Sequence, residues 1–324
     1  MPDVRLHRVQ PGEVNPRSVL RAPDGRLVQL KIHSARWDDS WPENSLAGLK
    51  ASLDARVARA EIDVAMLADR DFLVTHDDTL DRSTTGTGPA SALTADAARS
   101  LRLRHHAKGD QLGPPTDHPP ALLSDVVALL KESPGPTRLQ LDMKDVLPWP
   151  WPRVEELART IEPVRERVVV GSAADWNLRR LLRVDPAVLV GFDPMFYLDL
   201  SPADEGMDPL PGVMGAYGYL DAHPLARERH GPAADYLRDR LGAILRLVPD
   251  PAELYIRLYM AEKMHRDGLD DLADIVHGFG ASFDLWTLDA GTPRWEERLR
   301  LAVALGADVV TTNTAREMSA VSLA

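Results

Sequence analysis

Compact apolar runs alternate along the chain with stretches of helical periodicity. Strand-like runs lie at 26–33, 59–67, 138–144, 167–172, 187–193, 253–260, 281–288 and 307–313. Between most of them apolar residues recur every three to four positions, as at 43–55, 122–132, 175–184 and 294–305. Strands that alternate with helices pair in parallel through right-handed crossovers. Eight such units predict an α/β fold, a (β/α)8 TIM barrel. The competing arrangement is an open doubly wound sheet, but no glycine-rich strand-to-helix turn supports it. One run breaks the pattern: FLVTHDDTLDRSTTG, residues 72–86, starts as a strand and ends in acids, hydroxyls and glycine. It reads as a ninth short strand within an insertion, about 70–120, after the second barrel strand, with 86–120 as loop. The stretch 194–232 is irregular and rich in Pro and Gly, a candidate cap for the barrel mouth. Residues 1–324 are expected to form one barrel domain.

Composition narrows the partners. Hydrophobic residues make up 44% and charged residues 27%, enough for a large core. Acids outnumber bases 49 to 38, a net charge of −11, which disfavours nucleic acid or an anionic membrane as the default partner. An anionic substrate would therefore need local positive charge. The absence of cysteine excludes disulfides and thiolate chemistry. No segment approaches the ~20 apolar residues of a membrane span, and the first residues do not resemble a signal peptide. The expectation is a soluble, cytoplasmic protein with no integral membrane segment; its oligomeric state is left open.

In such a barrel, chemistry gathers at the carboxyl ends of the strands. His33 ends the first strand. Glu61 and Asp63 are two apart in the second and so share a face, and Asp142 and Lys144 repeat the spacing at the end of the third. Three carboxylates on a normally apolar face are costly: two unit charges ~4 Å apart interact by ~4 kcal/mol at an effective dielectric of ~20. One hard divalent cation, Mg2+ or Ca2+, removes that cost, and all-oxygen ligation suits it better than zinc. Lys144 then offsets the remaining charge and admits an anionic phosphate. The competing reading of each acid–base pair is an ordinary barrel salt bridge. His76 ends the odd short strand. With His33 it forms a pair of imidazoles, of ordinary pKa ~6.5, able to divide proton removal and proton delivery across a phosphate.

The run PENSLAGLKASLDARVARAEIDVAMLADRDFLVTHDDTLDRSTTGTG, residues 42–88, resembles the signature of the glycerophosphodiester phosphodiesterases. Pro42-Glu43-Asn44-Ser45, Glu61-Ile62-Asp63 and His76-Asp77-Asp78-Thr79-Leu80-Asp81-Arg82-Ser83-Thr84 follow that family's order and spacing; LDMK (141–144) and LWTLD (285–289) are weaker landmarks. The resemblance implies a TIM barrel that hydrolyses a glycerophosphodiester to an alcohol and glycerol phosphate. It implies His33 and His76 as acid and base, and Glu61, Asp63 and Asp142 as metal ligands. Lys144 is implied as a phosphate contact, with Glu43 and Asn44 supporting the first loop and Asp77 and Arg82 bracing His76. Asn44 also suits a helix N-cap. A small-molecule phosphodiester is the implied partner. The chain departs from the family in three places. Ser34-Ala35 follow His33 where the family has Arg-Gly, leaving Arg36 one place late as the phosphate-binding candidate and Arg257 as a substitute. The family's Thr-Asp-x-Pro is Thr312-Asn313-Thr314-Ala315 here, and Asp142 replaces a glutamate. Trp286, with Trp37, Trp41, Trp149, Trp151, Phe192 and Tyr197, is a candidate for the substrate-facing rim. Two alternatives remain: a phospholipase-D-like lyase of the sphingomyelinase D kind, and a non-catalytic barrel that binds a phosphate ligand.

Overall fold

The computed structural model describes residues 12–105, 112–200 and 231–323. Its strands are β1 (Val19–Arg21), β2 (Leu27–Ile32), β3 (Arg59–Met66), β4 (Phe72–Val74), β5 (Arg138–Met143), β6 (Val168–Ser172), β7 (Leu189–Phe192), β8 (Glu253–Arg257), β9 (Ser282–Trp286) and β10 (Val309–Thr312). Eight of them pair in parallel in the order β2-β3-β5-β6-β7-β8-β9-β10, and β10 returns to β2 to close the barrel. Two short strands sit outside the ring, β1 antiparallel to β2 and β4 antiparallel to β3. β4 is the expected ninth strand; β1 was not legible as one.

Helices α1 (Leu46–Asp54), α2 (Ala95–Ala98), α3 (Leu123–Glu132), α4 (Trp151–Ile161), α5 (Asp175–Val184), α6 (Ala233–Leu245), α7 (Leu258–Arg266), α8 (Leu272–Gly278), α9 (Trp295–Ala304) and α10 (Ala315–Met318) accompany the strands. Their inward stripes, such as Val154, Leu157 and Ile161 of α4 and Leu178 and Leu181 of α5, pack on the outside of the barrel. The apolar run 253–260 is not one strand. β8 stops at Arg257 and α7 begins at Leu258, because Leu258, Met260 and Ala261 supply that helix's buried stripe. The insertion is not wholly irregular: it contains α2 and a 3-10 turn at Ala90–Ala92. A second small core formed by Leu67, Leu73, Leu80, Ala90, Ala95, Ala98 and Leu122 anchors it to the barrel. Most of the expected cap, 201–230, and residues 106–111 of the insertion lie outside the described residues.

The barrel interior is polar. Residues 29 and 31 of β2, 59, 61 and 63 of β3, 138, 140 and 142 of β5, 253 and 255 of β8, and 282 and 284 of β9 occupy alternate positions along their strands. These are Gln29, Lys31, Arg59, Glu61, Asp63, Arg138, Gln140, Asp142, Glu253, Tyr255, Ser282 and Asp284. The residues between them, such as Leu30, Ala60, Ile62, Leu141, Leu254, Phe283 and Leu285, belong to the hydrophobic cluster. Lys31, only 1% exposed, lies 2.5 Å from Asp284 and 3.1 Å from Glu253 and donates to Gln140. Glu253 also pairs with Arg59, which donates to Gln29, and Thr311 donates to both oxygens of Asp284. Burial pulls the Lys31 ammonium down in pKa, while Asp284 opposes the shift. Gly191 and Gly171 admit the Tyr255 ring, because a Cβ at either position would press into it.

Candidate active site

His33, Glu61, His76, Asp142, Lys144 and Trp286 line one cavity of about 280 Å3 at the carboxyl ends of the barrel strands. Ligand oxygens of Glu61, Asp63 and Asp142 lie within 4.8 Å of one another. β3 and β5 bring them together because Asp63 pairs in register with Asp142 and Glu61 with Gln140. Lys144 bridges the group, with Nζ 2.8 Å from Asp63 Oδ1 and 2.6 Å from Asp142 Oδ2. Burial, then the charges of Asp63 and Asp142, push the Glu61 carboxyl well above the usual range. Burial would also raise Asp63, but Lys144, His76 and His33 outweigh it and hold that carboxyl at about 2. The cluster is a strained collection of like charges with a single ammonium among them.

The first loop supports this group through its backbone. Ser34 and Ala35 follow His33 with φ of 48° and 54°, a left-handed path that favours glycine. The turn aims the Ser34 N–H at Glu61 Oε2, 2.8 Å away. Asn44, also left-handed at φ 56°, donates to Asp63 Oδ2 at 2.6 Å and accepts from the Asp63 N–H at 2.9 Å. It is not the cap of α1; that role falls to Ser45, whose hydroxyl accepts from the Gly48 N–H. Asn44 thus orients a carboxylate.

The two histidines are held at the same ring nitrogen by different partners. Asn313 donates through Nδ2 to Asp289 at 2.8 Å, so its Oδ1 is the acceptor facing His33 Nδ1 at 3.0 Å. The other ring nitrogen, Nε2, lies 4.0 Å from Glu61 and in the neutral tautomer is the acceptor. His76 Nδ1 faces the Asp77 carboxylate at 2.9 Å. Asp77 is clamped by Arg82, which also reaches Glu43 at 2.6 Å. The hydrogen bond to Asp77 raises the His76 pKa against the opposing effect of burial, with Asp63 adding to the rise. The polar turn after β4 therefore locks a histidine at the cavity.

Arg36 does not join the site: it pairs with Asp39 at 2.6 Å and is absent from the cavity lining. Its departure from the family spacing carries it into the loop beyond the left-handed turn. Arg257 stacks over Trp286, 4.7 Å from the ring centroid, and pairs with Asp199 at 3.0 Å. Of the aromatic rim candidates Trp286 lines the cavity, whereas Trp149 and Phe192 are fully buried and Tyr197 donates to Asp175. Sequence reasoning missed Asp193 and Tyr255 in the lining and Asn313 behind His33. Asp193 directly follows β7, two positions after the inward-facing Gly191, and Tyr255 is an inward position of β8, so period-2 counting along those strands was the available signal.

Residues 37–186 match the model of the glycerophosphoryl diester phosphodiesterase family, a span that holds every site residue from Glu43 to Lys144 but not His33. Over 157 residues the chain is 26% identical to the glycerophosphodiester phosphodiesterase of Caldanaerobacter subterraneus subsp. tengcongensis, covering 46% of this chain. The two curated relatives it matches are spanned over 25% and 60% of their own lengths. The fold is also that of a glycerophosphoryl diester phosphodiesterase from Parabacteroides distasonis (TM-score 0.59, 18% identity, 93% of this chain and 87% of that one). A phosphodiesterase of Oleispira antarctica, solved with its product sn-glycerol-3-phosphate, is similar to the same degree (TM-score 0.59, 15% identity, 90% and 94%).

Proposed function

This chain belongs to the glycerophosphoryl diester phosphodiesterase family over residues 37–186, and from that premise we propose that it hydrolyses a glycerophosphodiester to an alcohol and glycerol phosphate. The observation that carries the proposal is the pairing of two fixed imidazoles with three carboxylates and a lysine around one cavity. Each histidine has its Nδ1 engaged, which leaves Nε2 for chemistry.

The donor set fits a hard divalent cation. Three carboxylates within 4.8 Å, one of them driven well above the usual carboxylate range, offer oxygen only and gain from a positive charge. Glu61, Asp63 and Asp142 would hold it; when bound, it supplies Lewis-acid polarisation of a phosphoryl oxygen and offsets developing charge. The chain's own residues do the rest. Asn44 and the Ser34 N–H keep Asp63 and Glu61 oriented, and Lys144 brings an ammonium to the phosphate. His33, whose Nδ1 proton is committed to an amide oxygen, accepts a proton at Nε2 from the attacking oxygen. His76, whose imidazolium is favoured by Asp77, donates a proton to the departing alkoxide as the phosphorus–oxygen bond to the alcohol breaks. The comparisons do not favour the sphingomyelinase-D-like lyase or the non-catalytic barrel.

Turnover of glycerophosphocholine and of bis-p-nitrophenyl phosphate tests the assignment. His33→Ala and His76→Ala are each expected to lower kcat by ~10²-fold or more with the far-ultraviolet circular dichroism unchanged. Turnover near that of the parent protein in either variant removes that histidine from the mechanism.

A further inference from the structure

Exposed apolar side chains concentrate in one place. Among the described residues the large hydrophobics most open to solvent are Leu112, Val146, Leu147 and Trp151, so three of the four fall within residues 146–151. Leu147 is 74% exposed and Val146 50%. This loop begins two residues beyond Lys144 and therefore forms part of the rim above the cavity.

It is a rigid rim. Asn177 of α5 donates to the carbonyls of Asp145 and Leu147, at 3.3 and 3.0 Å, and accepts from the Trp149 N–H at 2.9 Å. Trp176 donates through Nε1 to the Val146 carbonyl at 3.1 Å, and Arg180 donates to that of Trp149. Pro148, Pro150 and Pro152 fix φ on either side of Trp149, which is fully buried and stacks on Phe72 with centroids 5.1 Å apart. Polar ties and one aromatic anchor thus hold Val146 and Leu147 outward, although burial would favour folding them in.

The surroundings reverse the sign of the molecule's charge. A groove of about 770 Å3 runs from this rim down the outer side of α5, lined by Trp151, Trp176, Arg179, Arg180 and Arg183 with one carboxylate, Asp250. Arg180 lies over the Trp151 ring, 5.2 Å from its centroid, and Arg179 is tied to Asp175. Arg183 is exposed and makes no hydrogen bond or ion pair among the described residues. Three guanidiniums against two acids, Asp250 in the lining and Asp175 behind Arg179, stand out in a chain of net charge −11. From tip to flank the order is aliphatic, indole, guanidinium, which is the order of acyl region, interface and phosphate layer in a bilayer.

We propose that the 146–151 rim and the arginines of α5 dock the protein on an anionic phospholipid surface, with Val146 and Leu147 inserted and Arg179, Arg180 and Arg183 at the level of the lipid phosphates. A second copy of this chain fits the patch less well, because a two-fold contact would set the arginines against their own copies. The docking does not rest on the phosphodiesterase reading; its use does, namely to hold the cavity where phosphodiesters meet a membrane.

Co-sedimentation with phosphatidylcholine vesicles, with and without phosphatidylglycerol, tests the proposal. The parent protein is expected to partition onto the phosphatidylglycerol vesicles, less so at high salt. A Val146→Asp/Leu147→Asp double variant should lose about 10-fold or more of that partition, and Arg183→Glu a few-fold. Both should keep the parent circular dichroism and turnover of bis-p-nitrophenyl phosphate, since neither touches the cavity. Absence of partition by the parent protein, or equal partition by both variants, overturns the docking surface. So does a concentration-dependent dimer in size exclusion that the double variant abolishes, which reassigns the patch to a second copy. Vesicle binding without turnover of either phosphodiester leaves the docking standing and removes the phosphodiesterase reading alone.

Discussion

His33 and His76 each present a free Nε2 to the same cavity, yet an amide stands behind one and a carboxylate behind the other. In the proposed mechanism that difference separates base from acid, and it is testable through pH. The His76 pKa is raised first by its hydrogen bond to Asp77 and also by Asp63, against burial and Lys144. As the proton donor it must be protonated, so activity is lost as pH rises through its folded-state pKa. Asp77→Asn removes the main cause of the rise, so the descending limb of the kcat–pH profile should move to lower pH while circular dichroism is retained. A limb that stays in place, or moves up, refutes the donor role. Much at this scale was legible in the sequence. Glu61, Asp63 and Asp142 were placed together by counting in twos, and the polar turn after β4 singled out His76. Asn313 was seen only as a departure from a motif, because its partner lies 280 positions away and no local pattern links the two. Arg36 had the right charge and neighbourhood, but the left-handed turn at Ser34 and Ala35 directs the chain elsewhere.

At the scale of elements, alternation and periodicity recovered eight barrel strands and the principal helices, because each helix keeps a stripe and each strand an apolar face against it. They failed where two elements share one apolar run, as at Arg257 and Leu258, and where a strand is only three residues long, as in β1. The polar filling of the barrel was also hidden: outward Leu, Ile and Val dominate each run, and the inward Gln, Lys, Arg and Glu read as interruptions. That filling makes a stability prediction. Glu253 faces both Lys31 and Arg59, and all three are nearly inaccessible. Glu253→Ala leaves two buried cations short of a partner and should cost ~3–5 kcal/mol in urea-induced unfolding. A loss below ~1 kcal/mol would mean that water or neighbouring groups already satisfy them.

For the whole molecule, closing β10 onto β2 turns strands far apart in sequence into walls of one cavity. The insertion carries its own small core, so the segment that bears His76 is anchored to the barrel. Among the described residues no helix is long and apolar enough to cross a membrane. Three acids converge on one point, with Glu61 driven upward by burial and then by Asp63 and Asp142, and they support the central proposal, that the site takes a divalent cation and a phosphodiester. Phosphorus nuclear magnetic resonance of glycerophosphocholine turnover tests that claim most directly, with the protein stripped by EDTA and then resupplied with Mg2+ or Ca2+. The expected result is conversion to glycerol phosphate that stops in chelator and returns with either ion. Conversion at an undiminished rate in EDTA, or none with either ion present, would contradict it.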